Sequence, residues 1–296
     1  MTIFKTSQTS SVKNLTMLRR FISAAWLILS RKIIADFSQV INLTSENTLL
    51  ANAYRERGNS FLRCEDFKSA IDDLKNSLRF NRSDASTHYY LGECFGHMQQ
   101  YDLAIEKYAQ AISLDPNCAK AYKGRGAVHA YLNDFTRAIN DLEKAIELAP
   151  RYSEAYFDLA AIYQKRASYR EAIEYYTQGI RLNQPCAEAY YGRGMAFMII
   201  EDFNRACNDF TSAISISPNV APFYAARSKA WYALGNKARA IEDSEKYEAL
   251  TSSTGSLFKK FTFSALKLFA GIGTIAFGFS DSDIFNDIFD KFSKKD

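Results

Sequence analysis

The sequence predicts an all-α chain in which antiparallel helix pairs stack into an α-solenoid with helical flanks. Three observations predict it. The 296 residues include only 13 glycines and 5 prolines, aromatic residues make up 14% of the chain, and one 34-residue spacing runs through most of it. A hydrophobic share of 47% is enough for a sizeable core, which excludes a disordered tail or a small disulfide-stapled domain.

The spacing is carried by a small residue that recurs every 34 positions, followed twelve residues later by an alanine. The small residues are Gly58, Gly92, Gly126, Ala160, Gly194 and Ser228, and the alanines are Ala70, Ala104, Ala138, Ala172, Ala206 and Ala240. This register predicts six uninterrupted units, namely 51–84, 85–118, 119–152, 153–186, 187–220 and 221–254. Positions within a unit are called places below, so that residue 51 occupies place 1 of the first unit.

Each unit has the pattern of two helices. In unit 119–152, apolar residues at helical spacing lie on both sides of Asn133 and Asp134, which favour a turn, and Pro150 follows the second stripe. A single hairpin cannot bury both of its apolar faces. The six units are therefore expected to stack on one another.

A repeated set of bulky places gives the chain a specific family resemblance. Place 4 holds Tyr54, His88, Tyr122, Tyr156, Tyr190 and Tyr224, and place 11 holds Phe61, Phe95, His129, Tyr163, Phe197 and Trp231. With the small place 8, these residues resemble the tetratricopeptide repeat (TPR) over about two thirds of the chain. Places 17 and 24 also hold aromatic residues or Leu in the first five units, and Lys237 and Ser244 depart from that pattern in the last unit. The resemblance implies a right-handed superhelix whose concave groove binds a partner protein. We expect that the protein is not an enzyme.

The resemblance also implies that the groove is lined by the first helix of each unit. The predicted partner-binding residues are Arg55, Asn59, Arg63, Tyr89, His97, Lys120, Lys123, Tyr131, Phe157, Tyr191, Met195, Met198 and Tyr232. The first half of this set is basic and the second half is rich in aromatic rings and Met. We expect a peptide or helix with acidic groups at one end and apolar anchors at the other. The alternative is that these are ordinary solvated helix positions.

Chaperone-binding relatives hold a terminal carboxylate with a clamp of five polar side chains. Arg55, Asn59 and Lys120 match that clamp, whereas Tyr90 and Gly124 stand where it needs donors. An adaptor, an assembly factor and a co-chaperone are all compatible with the pattern.

Charge and motif content exclude several other functions. Residues 51–254 sum to −1, so we expect no nucleic-acid partner, because such proteins cluster Lys and Arg on one face. Five scattered cysteines and three histidines form no metal-ligand or nucleophile pattern. We therefore expect no catalytic residue, no cofactor and no metal site.

The two flanks differ from the repeats. Residues 1–50 form a basic arm of charge +4, in which 17–35 predicts an amphipathic helix that lies on a membrane, directs the chain to an organelle or caps the first repeat. Residues 255–296 predict a hydrophobic helical hairpin, and 257–292 could contact a membrane, bind an apolar partner or fold back on the repeats. The alternative function is thus a membrane-associated protein whose C-terminal segment is the active or anchoring part, with the repeats recruiting partners. We expect a cytoplasmic protein. Peripheral attachment to a membrane, anchoring in a membrane and organelle targeting by the N-terminal arm stay open as alternatives.

Overall fold

The computed structural model describes residues 31–182 and 186–252, and every regular element in these two stretches is an α-helix. Residues 31–43 are helical and are called α1. The helices that follow are α2 (Asn47–Arg63), α3 (Phe67–Phe80), α4 (Ala85–His97), α5 (Tyr101–Leu114), α6 (Ala119–Tyr131), α7 (Phe135–Leu148), α8 (Ser153–Lys165), α9 (Tyr169–Leu182), α10 (Ala187–Ile199), α11 (Phe203–Ile216), α12 (Ala221–Ala233) and α13 (Lys237–Ser252). The all-α prediction is confirmed.

Helices α2 to α13 pair in sequence order. The chain also divides into two compact parts, each of which contains more than one 34-residue repeat; these two parts are called unit 1 and unit 2 from here on. Unit 1 extends to Pro116 and unit 2 begins at Asn117. In unit 1, α2 packs on α3 and α4 on α5; in unit 2, the pairs are α6–α7, α8–α9, α10–α11 and α12–α13. Within each unit, the second helix of a pair also packs on the first helix of the next.

A close approach at place 8 holds the two helices of a pair together. Gly92 lies against the ring of Tyr108 at place 24, and an added Cβ would be only 2.7 Å from a ring carbon. Gly194 faces Phe210 in the same way, also at 2.7 Å. Both rings are almost fully buried, so the small residue makes room for the largest side chains of the core.

Three residues join the helices of every pair, and the residue at place 15 always has a positive φ. These residues are Glu65, Gln99, Asn133, Ala167, Glu201 and Gly235, with φ between 58° and 76°. Only the sixth is the glycine that this left-handed conformation favours. The residue at place 16 caps the second helix in several pairs. In the α6–α7 pair, for example, the Asp134 carboxylate accepts a hydrogen bond from the backbone N–H of Arg137.

Helix α1 lies against the first helix pair. Ile33, Ile34, Phe37 and Ile41 are partly buried at helical spacing, and Arg57 on α2 donates a hydrogen bond of 2.9 Å to the Ser38 hydroxyl. Of the predicted amphipathic helix 17–35, residues 31–35 are helical, and Ile33 and Ile34 are partly buried. Residues 17–30, and with them the membrane and targeting alternatives, lie outside the described residues, as does the whole segment 255–296 with the predicted hairpin.

Candidate partner-binding surface

The first helices of neighbouring pairs lie side by side in unit 2, where α6 contacts α8, α8 contacts α10, and α10 contacts α12. We call the predicted contact residues on these four helices the first-helix face: Lys120, Lys123, Tyr131, Phe157, Tyr191, Met195, Met198 and Tyr232. Lys120, Tyr131 and Tyr232 are exposed, and Lys123, Phe157 and Tyr191 are half-buried. Tyr131 retains 42% and Tyr232 68% of its accessible surface.

The two methionines of this face do not belong to a surface. Met195 is 8% and Met198 5% exposed, and both pack in a cluster with Phe210 and Ala230. Their prediction as groove contacts is therefore corrected. Flexible thioether side chains adapt readily to the packing between α10, α11 and α12, and burial there removes their apolar surface from water.

An ion pair lowers the effective charge of the face. Lys123 on α6 lies with its Nζ 3.3 Å from Oδ2 of Asp158 on α8, and the two side chains are only 14% and 5% exposed. Burial raises the pKa of Asp158, and the neighbouring Lys123 charge opposes that shift. The pair holds two first helices together, so Lys123 is not a free cation for a partner. Asp158 was not among the predicted residues, because the 34-residue register does not connect place 6 of one repeat with place 5 of the repeat before it.

The aromatic residues of the face are partly committed to the core. The Phe157 ring packs against Gly179 on α9, where a Cβ would collide with it. The Tyr191 ring lies 5.8 Å from that of Phe210 and 5.0 Å from that of Phe223, both in tilted geometry. A partner can therefore reach only part of Phe157 and Tyr191, while most of the Tyr232 ring is available.

The predicted contacts in unit 1 show similar internal use. Arg55 pairs with Glu56 at 3.0 Å and with Asp84 at 3.2 Å, so two carboxylates already neutralise the cation that a carboxylate clamp needs. Tyr89 packs against Tyr90 and Tyr108.

The remaining predicted residues of unit 1 are more accessible. His97 is exposed and its ring stacks on Phe67, with centroids 5.4 Å apart. Arg63 is exposed and Asn59 is half-buried.

A repeated charge pair that the sequence analysis missed positions the first helix on the second. An Arg at place 7 binds an Asp at place 23 in four pairs: Arg57–Asp73, Arg125–Asp141, Arg193–Asp209 and Arg227–Asp243, at 2.6 to 2.8 Å. Arg193 and Arg227 also donate to Thr177 and Thr211 of the preceding pair, each at 3.0 Å. The signal was present in the sequence, since both residues of the pair recur in the 34-residue register.

Within residues 31–182 and 186–252, no three His, Cys, Asp or Glu side chains come together in a way that could hold a metal ion. None of the helices described there has both the length and the apolar character needed to cross a bilayer.

Helix pairs that stack through one repeated packing code define a helical-repeat protein. Family profiles then identify the repeat: tetratricopeptide repeats match residues 85–118, 119–152, 142–174 and 187–220. The chain is a tetratricopeptide-repeat protein, and its helix pairs correspond to about six repeats. No curated protein is significantly similar to it in sequence.

Solved structures with the same fold are distant in sequence. Pseudomonas aeruginosa pilF superposes with a TM-score of 0.64 at 18% identity, over 74% of this chain and 99% of that one. YrrB, described as a TPR protein with an unusual peptide-binding site, gives 0.52 at 20% identity over 61% and 93%. PilW, described as a type IV pilus biogenesis factor, gives 0.61 at 18% over 67% and 92%. At these identities the likeness shows the fold alone.

Proposed function

We propose that this protein is a non-enzymatic interaction scaffold that binds a peptide or helix of a partner protein on the first-helix face of unit 2. The observation that carries the proposal is the Tyr232 ring. It is 68% exposed, whereas the aromatic rings at the repeat's packing places are buried or half-buried. A rigid ring with a polar tip contributes a large contact area at low entropic cost, and such residues often dominate binding energy.

Fewer residues of the face are available to a partner than we expected from the sequence. Because Lys123 is neutralised by Asp158 and the two methionines are buried, the accessible anchors are Lys120 and Tyr131 at one end of the face and Tyr232 at the other. A segment with an acidic residue near one end and an apolar or aromatic residue near the other would match them.

A role as adaptor or assembly factor agrees best with this arrangement. The descriptions of YrrB as peptide-binding and of PilW as a biogenesis factor support it by analogy. The co-chaperone role loses support, because Arg55 is already held by Glu56 and Asp84. The cytoplasmic or membrane-peripheral location stays a prediction.

Site-specific photo-crosslinking tests the face directly. A photoreactive phenylalanine analogue is placed at Tyr232 in the full chain, and a matched variant carries it at Tyr247, a partly exposed tyrosine on α13 that lies off the face. We expect a discrete crosslinked protein from position 232 and none from position 247. Equal crosslinking from both positions would contradict the proposal.

The captured protein is then purified and its affinity measured. Tyr232→Ala should weaken binding about tenfold or more, as expected for a central aromatic anchor. Tyr247→Ala should leave the affinity unchanged. An unchanged affinity for Tyr232→Ala would show that another surface carries the binding.

A further inference from the structure

A recess of about 460 Å³ lies in unit 1, where α3 ends and α4 begins. Its lining consists of Lys75, Leu78, Arg79, Arg82 and His88, four of which are basic side chains. The recess is formed by the second helix of one pair and the first helix of the next. It shares no residue with the first-helix face.

The cations of the recess are not neutralised by the surrounding chain. Within the described residues, no carboxylate lies at ion-pair distance from Lys75, Arg79 or Arg82, and Arg79 donates a hydrogen bond of 3.5 Å to the Asn76 amide oxygen. The carboxylate at the start of α4, Asp84, is already engaged by Arg55. Lys75, Arg79 and Arg82 are exposed, so three positive charges border a recess that is open to solvent.

Helix packing does not require these cations. The corresponding positions are Glu143, Glu147, Pro150 and Tyr156 at the α7–α8 junction, and Thr211, Ser215, Pro218 and Tyr224 at the α11–α12 junction. In those junctions the tyrosine hydroxyl donates to the proline carbonyl, at 3.1 and 2.9 Å. His88 Nε2 keeps an equivalent contact of 3.4 Å with the Arg82 carbonyl. At the α9–α10 junction the positions that correspond to Lys75, Arg79 and His88 hold Thr177, Arg181 and Tyr190, so one basic side chain recurs there. Among these four junctions, only α3–α4 combines Lys75 with Arg79, and the shared packing does not need that combination.

We propose that the α3–α4 recess binds the phosphate group of a phosphorylated serine or threonine in a partner protein. A phosphate monoester carries close to two negative charges and three strong acceptor oxygens, which matches two guanidinium forks and an ammonium group better than a singly charged carboxylate does. The recess contains one apolar residue, Leu78, whereas a surface that binds a membrane presents several apolar side chains. The inference depends on the proposed scaffold function in one respect: the phosphate is taken to belong to a partner protein.

The three histidines of the chain provide a direct readout. Full-length protein labelled with ¹³C in its histidine rings should give separate signals for His88, His97 and His129. It is titrated with a short glycine-flanked phosphoserine peptide, with the unphosphorylated peptide, and with inorganic phosphate, all at constant ionic strength. We expect the phosphopeptide to shift only the His88 signal, saturably, with a Kd on the order of 1 mM for so small a probe.

Variants separate the recess from general charge effects. Arg79→Gln combined with Arg82→Gln should weaken phosphopeptide binding about tenfold or more, because two charge-assisted contacts are lost. Arg137→Gln, which removes an exposed cation in unit 2, should bind as the parent does. Circular dichroism checks that the variants remain folded, and Arg82→Glu provides a second charge change in the recess.

Several results would overturn the proposal. These are no shift of His88, an equal shift with the unphosphorylated peptide, an equal loss in Arg137→Gln, tighter binding of inorganic phosphate than of the phosphopeptide, or binding only of vesicles that contain phosphatidic acid. The Tyr232→Ala variant should still bind the phosphopeptide. The two experiments are therefore independent: the His88 titration can succeed when crosslinking at Tyr232 fails, and crosslinking can succeed when the titration fails.

Discussion

Replacing Asp209 with alanine should lower the free energy of opening of the α10–α11 pair by about 3 kcal/mol. Arg193 donates to both Asp209 oxygens at 2.8 Å, and its Nη1 donates to Thr177 at 3.0 Å. The two charged side chains are only 16% and 7% exposed. In the Asp209→Ala variant, the largely buried Arg193 guanidinium still donates a hydrogen bond to the Thr177 hydroxyl, but its positive charge has no carboxylate partner.

Removal of both charges should cost much less than removal of one. The chain already carries Leu91 and Leu159 at the place that Arg193 occupies, so an apolar side chain is compatible with the fold there. We expect Arg193→Leu combined with Asp209→Ala to lose about 1 kcal/mol, because no buried charge is left unpaired. The double-mutant cycle should then give a coupling free energy of at least about 2 kcal/mol.

Hydrogen exchange followed by mass spectrometry is the suitable assay. Stacked repeats need not unfold as one unit, so a single denaturation midpoint would mix the responses of different pairs, whereas exchange reports the opening of α10–α11 itself. Arg137→Ala is the control, because its ion pair with Asp134 is 72% and 37% exposed and should contribute less than about 0.5 kcal/mol. The reasoning is refuted if Asp209→Ala costs no more than the control, or if the double variant costs the sum of the two single ones.

Three further predictions concern single positions. Gly92→Ala should lose about 1 to 3 kcal/mol because the new methyl would lie 2.7 Å from an aromatic ring, whereas Gly96→Ala on the same helix, with its nearest neighbour at 3.9 Å, should gain up to about 1 kcal/mol; similar hydrogen-exchange protection of the α4–α5 pair in the two variants would contradict this. Ala167→Gly should gain about 1 kcal/mol by relieving a φ of 58°, and Gly235→Ala, at a φ of 76°, should lose a similar amount, each measured by hydrogen exchange in its own helix pair; the same sign for both would contradict the argument. Burial raises the pKa of Asp158, so the folded state retains a proton that the unfolded state has already released. Stability should then fall as pH rises from the ordinary aspartate pKa through the raised one. The Asp158→Asn variant cannot lose a proton at this position, so its stability relative to the parent should improve as the pH rises through that range. A difference in stability between variant and parent that does not change with pH would contradict the raised pKa of Asp158.

The repeat register was predictable because its cause is local. A small residue at place 8 is needed wherever two paired helices come close, and this requirement recurs every 34 residues whatever the rest of the repeat contains. Gly92 against Tyr108 and Gly194 against Phe210 show the predicted packing in two pairs. The Arg193–Asp209 pair could have been found in the same way, since both residues follow the register.

The candidate binding surface was predicted less well, because exposure depends on neighbours. Met195 and Met198 occupy places that face outward in an idealised repeat, yet α11 and α12 cover them in this chain. Tyr232 occupies the same place as Met198, one repeat later, and remains 68% exposed. The place number alone does not distinguish these two positions.

By itself, the sequence determined that the chain is a series of helix pairs and which residues hold each pair together, because helical periodicity and the 34-residue spacing are properties of residue order. Only the tertiary structure decided which side chains a partner can reach and which charges remain available. Lys123 finds its counter-charge 35 positions away in Asp158, whereas Arg79 and Arg82 have no carboxylate partner among the described residues. The physical reason is that burial and ion pairing depend on distances in space between helices, which the order of residues within one repeat does not contain.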